Sequence, residues 1–195
     1  TPAVSDPGEE LVALCARAGV EVVALPGPCA LITALAVSGL PTGRFTFEGF
    51  LAMNKKNRRA HLEELKSEQR TMIFYEAPHK LTATLRDLRE AFGAERRISL
   101  CRELTKLNEE ILRTTLSEAA AYYENTAPRG EYVLVIEGAS EKEAKETAFW
   151  ADLREREHVS YYTDRGMTKS DAIKQAARDR GVGKSEIYNI VMKKD

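Results

Sequence analysis

Apolar residues in this chain fall into short runs with helical or alternating spacing, separated by Pro, Gly and charged stretches. Leu11, Val12, Leu14 and Cys15 follow Asp6-Pro7-Gly8-Glu9-Glu10. This reads as a helix with Asp6 as N-cap, Pro7 in the first turn and two glutamates favoured by the helix dipole. Gly19 closes it, and residues 20–25 read as a strand. Pro26-Gly27-Pro28 stops that run, and a small, apolar helix follows over residues 29–37, with Gly39 and Pro41 beyond its end. A βα opening of this kind favours a parallel sheet.

Further along, residues 44–50 alternate and read as a strand, and a basic segment at 54–61 leads into an amphipathic helix that runs to about residue 67. Residues 71–75 are an apolar strand, and Leu81, Leu85, Leu88 and Phe92 mark one face of the next helix. Strands are predicted at 97–101 and 111–116, then a short helix opened by Ser117, then the most apolar strand at 131–136. A charged linker over 137–145 precedes a helix through Phe149, Trp150, Leu153 and Val159. Residues 168–180 and 184–192 predict two short helices around Gly181-Val182-Gly183. Ala172, Ile173, Ala176, Ala177, Val182, Ile187 and Val191 would form their shared core, as in a helix-turn-helix.

Composition narrows the class. The 195 residues are 43% hydrophobic and 30% charged, with a net charge of −1, which fits a soluble, folded chain. Nucleic-acid binding would then need a local patch, and Lys55-Lys56-Asn57-Arg58-Arg59 is the candidate; a solvated helix start is the plainer alternative. Cys15, Cys29 and Cys101 are far apart, no CxxC or Cys/His spacing points to a metal, and reduced thiols in a cytoplasmic protein are the expectation. No apolar run is long enough to span a bilayer.

The stretch 24–35 carries the first chemical signal. Gly27 has no side chain to keep a ligand from the backbone, and the helix behind it starts with unpaired N–H groups. A well-packed βα turn is the plain alternative. Other stretches occur in a telling order: Thr1-Pro2-Ala3-Val4-Ser5-Asp6-Pro7-Gly8, Leu25-Pro26-Gly27-Pro28-Cys29-Ala30, Phe47-Glu48-Gly49-Phe50 and Phe74-Tyr75-Glu76-Ala77-Pro78-His79-Lys80. Arg102-Glu103-Leu104-Thr105-Lys106 and Gly130-Glu131-Tyr132-Val133-Leu134-Val135-Ile136-Glu137-Gly138 complete the series.

Together these resemble the bacterial small-subunit ribosomal RNA (cytidine-2′-O)-methyltransferases of the tetrapyrrole-methylase superfamily. The match is strong to about residue 140 and looser in the helical tail. The resemblance implies an α/β fold of two lobes with a small C-terminal helical, helix-turn-helix-like unit. The expected divisions are 1–41, 42–140 and 141–195. It implies S-adenosylmethionine between the lobes, touching Thr1, Pro2, Val4, Pro26, Gly27, Cys29, Ala30, Tyr75, Glu76, Glu131 and Tyr132. The family's opening strands and their glycine-containing loop do not occur here, so an N-terminally truncated chain is expected.

A ribose 2′-hydroxyl is a poor nucleophile, so a general base or a nearby cation would assist the transfer. Glu103, Lys106 and Glu76 are the candidates, with His79 as a further alternative; a solvated or salt-bridged side chain is the plainer reading of each. Lys55, Lys56, Arg58 and Arg59 would contact RNA phosphates, and no metal is expected. The partner would be ribosomal RNA or the small ribosomal subunit, with no membrane role and a homodimer left open. Two rivals remain at this point: methylation of a porphyrin-like small molecule, and a non-enzymatic nucleic-acid-binding module around residues 168–192.

Overall fold

The computed structural model describes residues 1–146 and 148–193. Thr147, Lys194 and Asp195, which fall in the predicted C-terminal helical region, lie outside the described residues. Helices α1 (Glu9–Ala18) and α2 (Ala30–Val37) come first, then strand β1 (Phe45–Phe50), helix α3 (Lys55–Glu64) with a 3-10 turn over Leu65–Ser67, and strand β2 (Thr71–Glu76). Helix α4 (Pro78–Phe92), the strands β3 (Arg97–Arg102) and β4 (Glu110–Thr115), helix α5 (Leu116–Asn125) and strand β5 (Tyr132–Ile136) follow. Helices α6 (Glu141–Glu146), α7 (Glu155–Thr163), α8 (Lys169–Arg180) and α9 (Lys184–Met192) end the chain. None of the described helices is long and apolar enough to cross a membrane. The chain divides into two compact units, Thr1–Ala139 and Ser140–Asp195.

In the first unit the strand order is β1-β2-β5-β3-β4. Only β1 and β2 run parallel; the β2/β5, β5/β3 and β3/β4 pairs are antiparallel. The mainly parallel sheet suggested by the opening of the chain is therefore corrected. β3 and β4 form a local antiparallel pair, and β5 inserts between β2 and β3.

Strand alternation splits the core by face. Met72 and Phe74 of β2 join Leu134 and Ile136 of β5 beneath Leu62 of α3, Leu81, Leu85 and Leu88 of α4, and Leu116 and Ala119 of α5. Ile73, Val133 and Val135 face the other way, against Leu31, Ala34 and Leu35 of α2. Each fully buried Leu or Ile contributes about 1.5–3 kcal/mol, so these two layers account for most of the sheet's hold on its helices. Local signals agree with the packing. Pro78 occupies the first turn of α4, and Thr115 and Glu118 form a capping box at α5.

Two more expectations need correction. Residues 20–25 form no strand, and Val23 and Leu25 are 71% and 86% exposed. An extended segment gains nothing without a ladder partner, and neither edge strand, β1 or β4, pairs with it. Helix α1 starts at Glu9 with Gly8, not Asp6, at the cap. The preceding loop folds back on itself, with the Ala3 N–H donating to Pro7 O, which takes Asp6 out of capping position.

In the second unit, Val159 of α7, Ala172, Ile173, Ala176 and Ala177 of α8, and Ile187 of α9 form one small core. Phe149, Trp150 and Leu153 precede the helix they were expected to join. α7 starts anew at Glu155, where the Glu157 carboxylate accepts from the Arg154 N–H at 2.8 Å. His158 is fully buried among these elements. Arg180 Nε donates to its Nδ1 at 3.1 Å, and Asp179 Oδ2 lies 3.1 Å from Nε2 without hydrogen-bond alignment. Burial holds the imidazole below its ordinary range, and the Arg180 charge adds to this against the opposing pull of Asp179.

Candidate functional site

The ends of β1, β2 and β3 meet the start of β5 at one edge of the sheet. Phe50 pairs with Tyr75, Glu76 with Tyr132, and Arg102 with Tyr132 from the other side. A cleft of about 340 Å³ opens there, bounded by Ala30 at the start of α2, the loop after β2 and the loop after β3. This volume is within the usual range of small-molecule sites, about 300–1,000 Å³.

Tyr75 ends the inward face of β2. Its ring packs edge-on against Phe47 and Phe50, with centroids 4.9 and 5.7 Å away. A register irregularity near Gly49 brings Phe50 to that position. Burial raises the Tyr75 hydroxyl above the ordinary phenol range, against a hydrogen bond from the Leu31 backbone, so it stays neutral. Glu76 is on the opposite face of β2 and only 4% exposed. Its Oε1 accepts from the Ala77 N–H at 2.9 Å and its Oε2 from the Thr84 hydroxyl at 2.5 Å.

The loop after β3 is unusual in its backbone. Glu103 and Thr105 have φ values of 48° and 64°. Glu103 Oε1 accepts from the Glu131 N–H at 2.9 Å and from Lys106 Nζ at 3.2 Å. Lys106 Nζ also lies 3.5 Å from Glu131 Oε2. Gly130, at φ 72°, makes room for this: a Cβ there would sit 2.5 Å from Glu103 Cγ. The Glu131 N–H, and then the Lys106 ammonium, hold the Glu103 carboxyl below its ordinary range. Glu103 in turn raises the Lys106 ammonium above its own. At neutral pH this is a carboxylate beside an ammonium. Glu103 is thus a weak base, and Lys106 is a persistent cation able to stabilise negative charge.

Ala30, Tyr75, Glu76, Glu103, Lys106, Glu131 and Tyr132 therefore come together on one cleft. Thr1, Pro2, Val4, Pro26, Gly27 and Cys29 are not in its lining. The Thr1 hydroxyl donates to Pro28 O at 3.0 Å, which ties the first loop to the one before α2. His79 lies on α4, outside the lining. Ser5, Phe50, Ala77, Cys101, Leu104 and Val133 also line the cleft and were not among the predicted site residues. Strand periodicity carried a signal for some: Cys101 and Val133 are directly paired neighbours on the α2 face. Ser5 stands within the first motif stretch, residues 1–8, but helix capping is its plainer reading. Among the described residues, no group of three or more His, Cys, Asp or Glu side chains is placed to hold a metal.

The basic cluster begins α3, which Asn54 caps by accepting from the Lys56 and Asn57 N–H groups. Lys55, Lys56 and Arg59 are exposed. Arg58 turns inward: its Nε donates to Asp87 Oδ2 at 2.5 Å and its Nη2 to Thr84 Oγ1 at 2.9 Å.

Comparison with known proteins follows the same residues. The profile of the Tetrapyrrole (Corrin/Porphyrin) Methylases matches residues 1–120. A protein of Halalkalibacterium halodurans named Ribosomal RNA small subunit methyltransferase I is 48% identical over 189 residues, 97% of this chain and 65% of its own length. Proteins of the same name from Synechocystis sp. and Bacillus subtilis are 43% and 45% identical. These matches cover 97% and 96% of this chain, and 67% and 64% of the relatives. The chain thus spans about two thirds of the length of these relatives.

Among solved structures, the methyltransferase CobJ superposes with a TM-score of 0.55 at 24% identity, over 71% of this chain and 61% of that one. Uroporphyrin-III C-methyl transferase from Thermus thermophilus, complexed with S-adenosyl homocysteine, does so at 0.50 and 17%, over 70% and 61%. At these identities the likeness establishes the fold. With the profile matching residues 1–120, more than half of the chain, the chain belongs to the tetrapyrrole (corrin/porphyrin) methylase family.

Proposed function

We propose that this chain belongs to an S-adenosylmethionine-dependent methyltransferase that modifies a cytidine ribose 2′-oxygen of small-subunit ribosomal RNA in the cytoplasm. The observation that carries the proposal is the convergence of Ala30, Tyr75, Glu76, Glu131, Glu103 and Lys106 on one cleft. Relatives named for small-subunit ribosomal RNA methylation support the choice of substrate.

The residues present fit the cofactor. Aromatic edges at Phe50 and Tyr75 suit a flat purine, and Ala30 and Ala77 leave room along the backbone. The carboxylates of Glu76, Glu103 and Glu131 suit its hydroxyl and cationic groups. When bound, S-adenosylmethionine supplies a methyl group already activated on a sulfonium. The protein then has to hold both substrates close and in line. Glu76, with two donors on its carboxylate, is a rigid acceptor. Lys106 is the group able to offset negative charge as a ribose hydroxyl loses its proton. Lys55, Lys56 and Arg59 would bind phosphates along α3. The helical unit Ser140–Asp195 would assist substrate docking and not chemistry.

The test is to incubate the full-length natural protein with methyl-labelled S-adenosylmethionine and small ribosomal subunits lacking the modification. Label should enter the RNA at one cytidine and protect the adjoining phosphodiester from alkaline cleavage. Label confined to a base, or transferred only to a porphyrin-like acceptor, would contradict the proposal.

A further inference from the structure

The inward turn of Arg58 joins two places that the proposed function treats separately. Arg58 Nη2 donates to Thr84 Oγ1 at 2.9 Å, and Thr84 Oγ1 donates to Glu76 Oε2 at 2.5 Å. Arg58 Nε is anchored on Asp87 Oδ2 at 2.5 Å. Thr84 is wholly buried in α4, Glu76 is 4% exposed at the cleft, and the Arg58 side chain is 12% exposed on α3.

The direction of this chain is fixed by chemistry. A guanidinium has no acceptor and keeps its protons, so the Thr84 oxygen must accept from Arg58. The one hydroxyl proton is then left for the carboxylate. Among buried groups such a chain holds its last member in one orientation, and losing a link leaves a buried acceptor short of a donor.

We propose that Arg58 and Thr84 are positioning residues for Glu76, so that the basic helix α3 and the ligand cleft share one hydrogen-bonded chain. The proposal rests on the assignment of this cleft to S-adenosylmethionine. It separates Arg58 from its neighbours: Lys55, Lys56 and Arg59 serve RNA, whereas Arg58 serves the cofactor side.

The experiment is calorimetric titration of S-adenosylmethionine into the full-length natural protein and its variants, with melting curves to confirm folding. Thr84→Val removes the hydroxyl at nearly constant shape, and Thr84→Ser keeps it. Arg58→Gln removes the donor fork and its anchor. Thr84→Val and Arg58→Gln should each weaken binding by roughly three- to tenfold, the scale of one ordinary hydrogen bond, because each acts on the cofactor only through Glu76. Thr84→Ser should stay within about twofold of wild type, as expected when the hydroxyl and not general packing is what matters. A combined Lys55→Gln, Lys56→Gln, Arg59→Gln variant should bind the cofactor as wild type does. Should Thr84→Val fail to fold, Arg58→Gln on the rim of the network still decides the matter. Wild-type affinity in Arg58→Gln or Thr84→Val, or failure of Thr84→Ser to rescue, overturns the proposal alone. Absence of binding by wild type overturns the cofactor assignment and the proposal with it.

Discussion

Replacing Gly130 by alanine should damage the cleft in a way that separates backbone cost from side-chain displacement. The residue sits at φ 72°, where an L side chain costs about 1–2 kcal/mol. That alone should lower the melting temperature of the unit containing the sheet by roughly 3–6 °C. The added Cβ would also lie 2.5 Å from Glu103 Cγ and 2.8 Å from its Cδ and Oε1, closer than packed atoms approach. Glu103 must therefore swing away, releasing the Glu131 N–H and Lys106 Nζ. Cofactor affinity, measured by calorimetry, should fall beyond what the lost stability explains. Glu103→Ala removes the obstructing side chain, so Gly130→Ala should cost little further affinity in a Glu103→Ala background. Additive effects of the two changes, or an unaltered affinity in Gly130→Ala, would show that Glu103 is not positioned through this contact.

Other expectations follow from single features. Exchanging Lys55, Lys56 and Arg59 for glutamine should lower the slope of log affinity for ribosomal RNA against log salt by roughly 2, read from filter binding over a salt series. Gly138→Ala would place a Cβ 2.1 Å from Gln69 O and 2.6 Å from Arg70 O, both backbone atoms that cannot rotate aside. Urea unfolding should show a loss of more than about 2 kcal/mol. His158 is held below its unfolded value, so its contribution is fully present above pH about 6.5 and is lost as pH falls below that. Hydrogen-exchange protection factors in α7 and α8, corrected for the intrinsic exchange rate at each pH, should fall on acidification, and His158→Gln should flatten that dependence.

The parts of the fold legible in the sequence are those where one face of an element is buried. Leu81, Leu85, Leu88 and Phe92 of α4 lie in one core layer because a helix that packs on a sheet must present an apolar stripe. Residues 20–25 carry an equally apolar signal and form no strand, because pairing depends on a neighbour that local sequence does not specify. The order of strands was hidden for the same reason: β5 lies between β2 and β3 through contacts distant in sequence. Ala30, Tyr75, Glu76 and Glu131 were legible as site candidates from their motifs. The link from Glu76 to Thr84 and Arg58 was not, since it joins three elements whose residues look like an ordinary strand end, helix interior and basic turn.

The most direct measurement concerns Ala30, the exposed first residue of α2, which lies in the cleft lining. Ala30→Trp adds a large ring to the cleft at a position where the fold tolerates bulk. Calorimetry on the full-length natural protein should show S-adenosylmethionine binding to wild type and none to Ala30→Trp, with matching circular dichroism and melting temperatures. Equal affinity in the two folded proteins would contradict the placement of the cofactor in this cleft.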